Sequence, residues 1–399
     1  MPQTSVKFTV IIPTRERANT LYHCLRTVTA QDYGNLTILV SDNNSQDNTR
    51  DVVLSFSDPR IKYINTTQRI SMSHNFEFAL QHVQDGWVTV MGDDDGLLPG
   101  ALRTVADAIG KSKSQALISR LCIYNWPDSE IARNTLVVPL SSGIELRDTR
   151  PWLNKLMQGE ANYSDLPYLY TGGFVNSAII KRAHGADGQF YHSLNPDVYS
   201  AIALASVLDR YAVLLEPIAV GGTSSYSTGA SNFYFQRNTD SVQKFFSEDN
   251  IPFHQKLPNG ELYKSLPIMI YECYLQSEHL HHDFLKIYLE DQLGLALSRA
   301  TPRNYRNLRN FCQDIASKHG VAMNIVDRKA NLFKRRLCWH RLRKIYWHLF
   351  KQRVISCDKF SVEDVYGASI LAKTIFLLDT QYNHKTWNNL RRLLDRFSI

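Results

Sequence analysis

Val88–Gly100 reads VTVMGDDDGLLPG. Apolar and β-branched residues run into three consecutive carboxylates, then into a turn and a proline. The run has the character of a buried strand, so Asp93, Asp94 and Asp95 should project from its carboxyl end. Like charges that close repel, and they cost stability unless something positive sits among them. Hard oxygen ligands suit Mg2+ or Mn2+, and Mg2+ is usually held by one or two carboxylates with phosphate oxygens and water. The triplet therefore reads as a dock for a metal–diphosphate; the competing reading is an exposed acidic turn solvated by water.

Working outward, KFTVIIP, LTILVSD, IKYIN, WVTVM and QALISRLCIY read as strands. Helical patterns separate them. Leu21, Leu25 and Val28 share one face; Phe76, Ala79, Leu80 and Val83 share another, with Ser73 as the expected N-cap. Pro99 suits the first turn of a helix carrying Leu102, Val105 and Ile109. This alternation predicts a mostly parallel sheet with helices on both faces. Ligands of such sheets bind at the carboxyl ends of the strands, here after Pro13, around Asp42 and at Asp93–Asp95. Residues 125–168 read as irregular apart from a short helix at PWLNKLM. LYTGGFVNSAIIKR then supplies a glycine turn and a strand, NPDVYSAIALASVL a helix, YAVLLEPIAV a strand and GGTSSYSTGASNF a loop. From about residue 240 the patterns are helical and aromatic-rich, with no strong strand signal. The expected division is an α/β domain over 1–238 and a mainly helical extension over 239–399.

Composition sets the class. The chain has 399 residues and a formal charge of +7. No apolar run approaches the ~18–20 residues that span a bilayer. The N-terminus enters a strand directly and does not read as a secretory signal. Six scattered cysteines without a CxxC pair suggest reduced thiols and a cytoplasmic location. The basic balance is local: Arg299–Arg353 holds 15 basic and 2 acidic residues, leaving 30 basic and 36 acidic elsewhere. Within residues 328–353, Arg and Lys interleave with Leu, Trp, Tyr and Phe at helical spacing. Such a helix can lie peripherally on an anionic membrane surface at the inner face of the cell membrane, or pack on the rest of the chain with a solvated basic face. Nucleic acid is disfavoured, since no RRM, KH or helix-turn-helix signature is present. His279, His281 and His282 lack a zinc-type partner pattern and read as a surface segment.

Four motifs, VIIPTRERANTL, ILVSDNNSQDNT, RISMSHNFEFAL and VTVMGDDDGLLPGAL, occur in an order and spacing that resemble the family 2 glycosyltransferases of GT-A fold, a Rossmann-like nucleotide-diphospho-sugar transferase domain. The resemblance continues less firmly to about residue 230 and does not cover the C-terminal region. It implies an inverting sugar transfer from a UDP-, GDP- or dTDP-linked donor to a saccharide or lipid-linked saccharide, in surface polysaccharide assembly. By the same resemblance Pro13, Thr14, Arg15, Glu16, Asp42, Arg69, Asn75, Asp93 and Asp94 fall at nucleotide-sugar-binding positions. Asp93, Asp94 and Asp95 fall on the metal element, with Asp95 the favoured ligand. Asp197, opening the helix of NPDVYSAIAL, falls at the position of the general base. Two departures stand out: Gly92 where many relatives carry an acid, and Pro196 where an acid often precedes the base.

Each residue has a plainer reading. Asp42 and Asp47 can form turns and caps, which for Asp47 is the better account. Arg69 can be a surface arginine, and Asp197 a helix-opening acid that favours the dipole. The competing functions are a Mg2+-dependent phosphatase or nucleotidyltransferase, and an inactive membrane- or RNA-associated scaffold. A haloacid-type phosphatase would want its aspartates after the first strand, where this chain has VIIPTRER. No Walker loop or G-x-G-x-x-G is present.

Overall fold

The computed structural model describes residues 6–129, 132–225, 248, 250–257, 265–281 and 287–396, without the side chains of 337–350 and 381–396. Strands β1 (Phe8–Thr14), β2 (Leu36–Asp42), β3 (Ile61–Asn65) and β4 (Trp87–Val90) pair in parallel in the order β4-β1-β2-β3. The β-branched residues of β1 and β4, and those of β2 except Thr37, are buried on both faces, as a sheet covered by helices demands, while the edge strand β3 is only partly buried. The register sets Thr14 beside Asp42 and Asp42 beside Asn65. Ile11 pairs with Val90, so the segment after β4 rises beside Pro13 and Thr14. One parallel edge thus gathers all three places named by the sequence.

The covering helices are α1 (Ala18–Thr29), α2 (Thr49–Leu54), α3 (Met72–Leu80) and α4 (Ala101–Ser112). Helix α1 buries Leu21, Cys24, Leu25 and Val28, the stripe read from its spacing. Fully burying one such aliphatic side chain contributes about 1.5–3 kcal/mol. The N-cap of α3 is Ser71, not Ser73: Ser71 is extended and its Oγ accepts from the His74 amide. Ser73 lies inside the helix and donates to the Ser193 carbonyl at 2.7 Å. Pro99 precedes α4, and Gly100, at φ +76°, supplies the left-handed residue just ahead of it.

Beyond β4 the topology departs from simple alternation. Strands β5 (Gly96–Leu97), β6 (Ala116–Asn125), β7 (Thr135–Pro139) and β8 (Ile144–Asp148) are followed by α5 (Thr149–Met157). Then come β9 (Gly173–Asn176), α6 (Ser177–Arg182), α7 (Pro196–Val207) and β10 (Arg210–Thr223). Strand β9 inserts antiparallel between β4 and β6, while β10 runs parallel to β6 and antiparallel to β5 and β8. The sheet is mixed, not mostly parallel. Strands β7 and β8 lie in the stretch that reads as irregular; each has five residues, and β8 is exposed at four of them, so its apolar alternation is faint.

The C-terminal region is helical, as expected: α8 (Leu266–Gln276), α9 (Leu289–Ser298), α10 (Tyr305–Lys318), α11 (Met323–Phe350) and α12 (Val365–Arg396). It also holds a strand that the sequence reading lacked. Strand β11 (Gln352–Ser356) joins the sheet antiparallel to β7. Helix α12 then lays Val365, Ala368, Ala372 and Phe376 on Leu98, Tyr124, Trp126 and Val220. His23 meets Asp364 at 3.0 Å, and Arg26 lies 3.9 Å from the Tyr366 ring centre. No described helix is long and apolar enough to cross a membrane. The Gly/Ser loop from residue 226 onward, the expected boundary at 238/239, His282 and the side chains of 337–350 in the basic segment lie outside the described residues.

Phe376 is 4% exposed although it lies 23 residues from the chain end. Phe376→Ala should therefore destabilise the α/β sheet by about 3–5 kcal/mol. Thermal or urea denaturation followed by tryptophan fluorescence checks this; an unchanged midpoint would mean that α12 is not part of that core.

Candidate active site

The triplet is neither exposed nor free of positive charge. Asp93, Asp94 and Asp95 are 3%, 5% and 3% exposed, which removes the solvated-turn reading. Asp93 accepts from Thr14 Oγ1 at 2.8 Å and pairs with Arg17 Nη1 at 3.0 Å. Asp94 accepts from Ser224 Oγ at 2.8 Å, and its carbonyl accepts from Trp126 Nε1 at 3.1 Å. Asp95 has both oxygens engaged: Oδ1 by the Gly222 amide at 2.6 Å, Oδ2 by the Gly92 amide at 3.1 Å and by the Thr171 hydroxyl. Gly222 must be glycine there, because a Cβ would lie 2.0 Å from the Asp94 carbonyl.

The electrostatics follow from this crowding. Burial pushes the Asp95 carboxyl up to about 7 and the Asp94 charge adds to it, while the three donors oppose the shift. Burial likewise raises Asp93 against the opposing charge of Arg17. For Arg17, burial works against the charge, but Asp93 and Asp94 together carry its pKa above the ordinary value. Three buried carboxylates facing this arginine leave an excess of negative charge on hard oxygen donors. That donor set fits Mg2+ or Mn2+ held with outside oxygens. Among the described residues no three His, Cys, Asp or Glu groups converge as a closed cage. The fit is thus to an open site completed by a ligand.

The neighbouring strand ends supply the other residues. Asp42, 1% exposed, accepts from Tyr63 Oη at 2.6 Å, Asn65 Nδ2 at 3.3 Å and the Ser45 amide at 3.0 Å. Glu16, at φ +55°, accepts from the Gln46 and Asp47 amides at 3.0 and 3.2 Å and joins the loops after β1 and β2. Asp47 caps, as read: it takes the Ala18 amide at 3.1 Å and the Thr49 amide at 3.0 Å. Arg69 is exposed and lies 3.6 Å from Glu16. Arg15 pairs with Glu248. Asn75 is buried, exchanging hydrogen bonds with Ser41 at 2.7 and 3.3 Å. Pro13, half-buried, pairs with Ser41 in the β1–β2 register.

Asp197 opens α7 and is partly buried. Its Oδ2 accepts from Tyr163 Oη at 2.8 Å. Burial raises its pKa, and the Tyr163 hydroxyl holds the rise back. Tyr170 links this carboxylate to the triplet. Burial raises the Tyr170 phenol well above its ordinary range, and Asp95, Asp94, Asp197 and Asp93 all add to the rise. Its hydroxyl lies 2.8 Å from where a Cβ on Gly92 would stand, and its ring stacks on Phe76 with centres 6.4 Å apart. Sequence reasoning missed Arg17, Tyr163, Tyr170, Thr171 and Ser224. Arg17 had a signal, being the second arginine of PTRER; a tyrosine among 20 had none.

Residues 9–183 match the sequence profile of Glycosyl transferase family 2. A Campylobacter jejuni GalNAc(5)-diNAcBac-PP-undecaprenol beta-1,3-glucosyltransferase is 39% identical over 102 residues, 25% of this chain and 33% of the relative. The Escherichia coli UDP-Glc:alpha-D-GlcNAc-diphosphoundecaprenol beta-1,3-glucosyltransferase WfgD is 31% identical over 86 residues, 22% and 34% of the two chains. The chain thus spans about a third of the length of these relatives. The crystal structure of S. aureus TarS 1-349 in complex with UDP-GlcNAc superposes with a TM-score of 0.51 at 15% identity, covering 80% of this chain and 82% of that one. That likeness is one of fold: a mixed α/β GT-A-like sheet with a helical C-terminal region.

A folded-state pKa raised to about 7 means that folded Asp95 holds its proton over a range where the unfolded chain has lost it. Without metal, stability should therefore fall as pH rises from about 4 to about 7. A divalent cation favours the ionised carboxylates and should oppose that loss. Mn2+ should raise the melting temperature at pH 7.5 and far less at pH 5, by scanning calorimetry; equal shifts at both would place the ion elsewhere.

Proposed function

We propose, from the match of residues 9–183 to Glycosyl transferase family 2, that the chain transfers a sugar, with inversion, from a nucleotide-diphosphate donor to a saccharide or lipid-linked saccharide acceptor in surface polysaccharide assembly. One observation carries this reading. The three aspartates at the carboxyl edge of the parallel strands are buried together, with Thr14 of β1 and Arg17 bonded to Asp93, which gives a turn of hard oxygen donors suited to a metal–diphosphate.

The roles proposed here take the positions that the resemblance implies. Thr14, Asp42 and Glu16, with Pro13 and Arg15, form the nucleoside end at the tips of β1 and β2. Arg69, exposed beside Glu16, is assigned to the phosphates, while Asn75 supports the strand end through Ser41. The turn of Asp93, Asp94 and Asp95 would hold Mn2+ or Mg2+, with Asp95 also bracing the turn through its internal donors. Such an ion, when bound, neutralises charge that builds on the departing diphosphate. Asp197 takes the proton of the acceptor hydroxyl. The acceptor oxygen then bonds to the anomeric carbon from the face opposite the diphosphate, as the bond to the diphosphate oxygen breaks. The strongly basic segment over 328–353 is the part of the chain suited to an anionic membrane surface, where a lipid-linked acceptor would be met.

Asp197→Asn should keep Mn2+-dependent binding of nucleoside diphosphate and lose transfer by about 10²–10⁴-fold. Calorimetry with UDP, GDP and dTDP, with and without Mn2+, reads the first; product formation from the matching donor reads the second. Normal turnover by the variant would remove Asp197 from the reaction. Flotation of the full chain with anionic vesicles should be strong at low salt and weak at high salt; no binding to vesicles would leave the basic segment to another partner.

A further inference from the structure

We propose, resting on the reading of Asp197 as the base, that Tyr163 is a positioning residue that holds the Asp197 carboxylate in its working orientation. Tyr163 lies on the 3-10 turn Tyr163–Asp165, 34 residues ahead of Asp197, and its Oη donates to Asp197 Oδ2 at 2.8 Å. One carboxylate oxygen is thereby fixed to the protein. A carboxylate on the first turn of a helix is otherwise free to turn about its side-chain bonds.

The turn that carries Tyr163 is itself built into the sheet. Asn162 and Asp165 form a reciprocal capping box, with the Asn162 amide donating to Asp165 at 3.0 Å. Arg120 of β6 and the buried Arg147 of β8 approach Asp165 at 3.6 and 3.9 Å. Tyr211 Oη of β10 donates to the Asp165 carbonyl at 2.5 Å. Three strands thus fix a turn of three residues, which fixes one hydroxyl on the base.

The surroundings of Asp197 favour this role. The groups that feel its charge are Tyr163, Tyr168, Tyr170, Tyr191 and Cys273. The acids on two other elements packed against α7 are engaged elsewhere: Glu77 of α3 with the Phe190 and Tyr191 amides, Glu272 of α8 with Ser193 and Gln276. The pulls on the Asp197 proton are burial, which retains it, and the Tyr163 hydroxyl with the amides of Val198 and Asp197, which release it. A hydrogen bond to the ionised form favours that form.

The test is nuclear magnetic resonance of the full chain labelled at the aspartate carboxyl carbons, with the Asp197 signal assigned by its loss in Asp197→Asn. In Tyr163→Phe the Asp197 titration should move up by about one pH unit, a tenfold gain in proton affinity. The acid limb of turnover, measured with whichever of the UDP-, GDP- or dTDP-sugars is a donor, should move to higher pH by the same amount. Should Tyr163→Phe fail to fold, Asp165→Asn loosens the turn and leaves the phenol in place; the same upward shift is expected, to a lesser extent. A folded variant whose titration and acid limb match wild type overturns the role of Tyr163, while an inactive Asp197→Asn in the same experiment leaves the base reading standing. Normal transfer by Asp197→Asn would sink the base reading and this inference with it.

Discussion

The structure is organised around the burial of three adjacent carboxylates. Taking a carboxylate out of water costs several kcal/mol after relaxation, even where partners await it. Hydrogen bonds to a charged group return about 1.5–3 kcal/mol each. Thr14, Arg17, Ser224, Thr171 and the amides of Gly92 and Gly222 provide such bonds to Asp93–Asp95. Apart from the Gly92 amide of the turn itself, these donors come from β1 and its following loop, from β10 and the residue after it, and from the segment ahead of β9. The turn can be buried only if all three arrive together. The long reach of the chain from residue 14 to residue 224 is thus closed around one acidic turn.

That constraint extends into the C-terminal region. Glu272 of α8 is 1% exposed and accepts from Ser193 Oγ at 2.6 Å; burial raises its pKa, and the bonds from Ser193 and Gln276 hold the rise back. The carbonyl of the same Ser193 accepts from Ser73 of α3. Asn195, two residues on, is the N-cap residue of the helix that Asp197 opens. Helix α8 therefore ties the segment ahead of Asp197 to α3. Val365, Ala368, Ala372 and Phe376 of α12, with Cys357 just after β11, pack with Tyr124 and Trp126, and Trp126 in turn holds the Asp94 carbonyl. The helical region serves as part of the wall of the site.

What was legible in the sequence was whatever has a short period or a local rule. Strands β1, β2 and β4 showed themselves because burial on both faces demands runs such as TVII and TILV; the half-buried edge strand β3 showed itself through its β-branched IKYIN run. Asp42 and Asp93–Asp95 followed, since a parallel sheet presents its strand ends on one edge. Asp47 was legible as a cap because capping needs only the next few amides. The rest is set by pairings far apart in the chain. Strand β11 has five residues and finds its partner more than 200 residues upstream, so its sequence needs no pattern of its own. Strand β8 is solvated on most of its length. Ser71 outcompeted Ser73 as the cap because the Ser193 carbonyl claims the Ser73 hydroxyl. Tyr163 and Tyr170 look like any core aromatics until Asp197 and Gly92 are seen beside them.

Gly92 shows how such a pairing explains a departure from the family pattern. A Cβ there would lie 2.8 Å from both Asp95 Oδ2 and Tyr170 Oη. An acidic side chain at 92 would need both to move, and it would add a fourth carboxylate to a cluster already in excess. The Tyr170 hydroxyl fills the space instead, and it stays protonated because burial and the surrounding aspartates oppose its ionisation. A neutral hydroxyl therefore stands beside the turn of Asp93–Asp95, where an acidic residue at 92 would add a charge. Glycine at 92 and tyrosine at 170 form one unit: a side chain added at 92 meets the Tyr170 hydroxyl, and a smaller residue at 170 leaves a void beside Gly92.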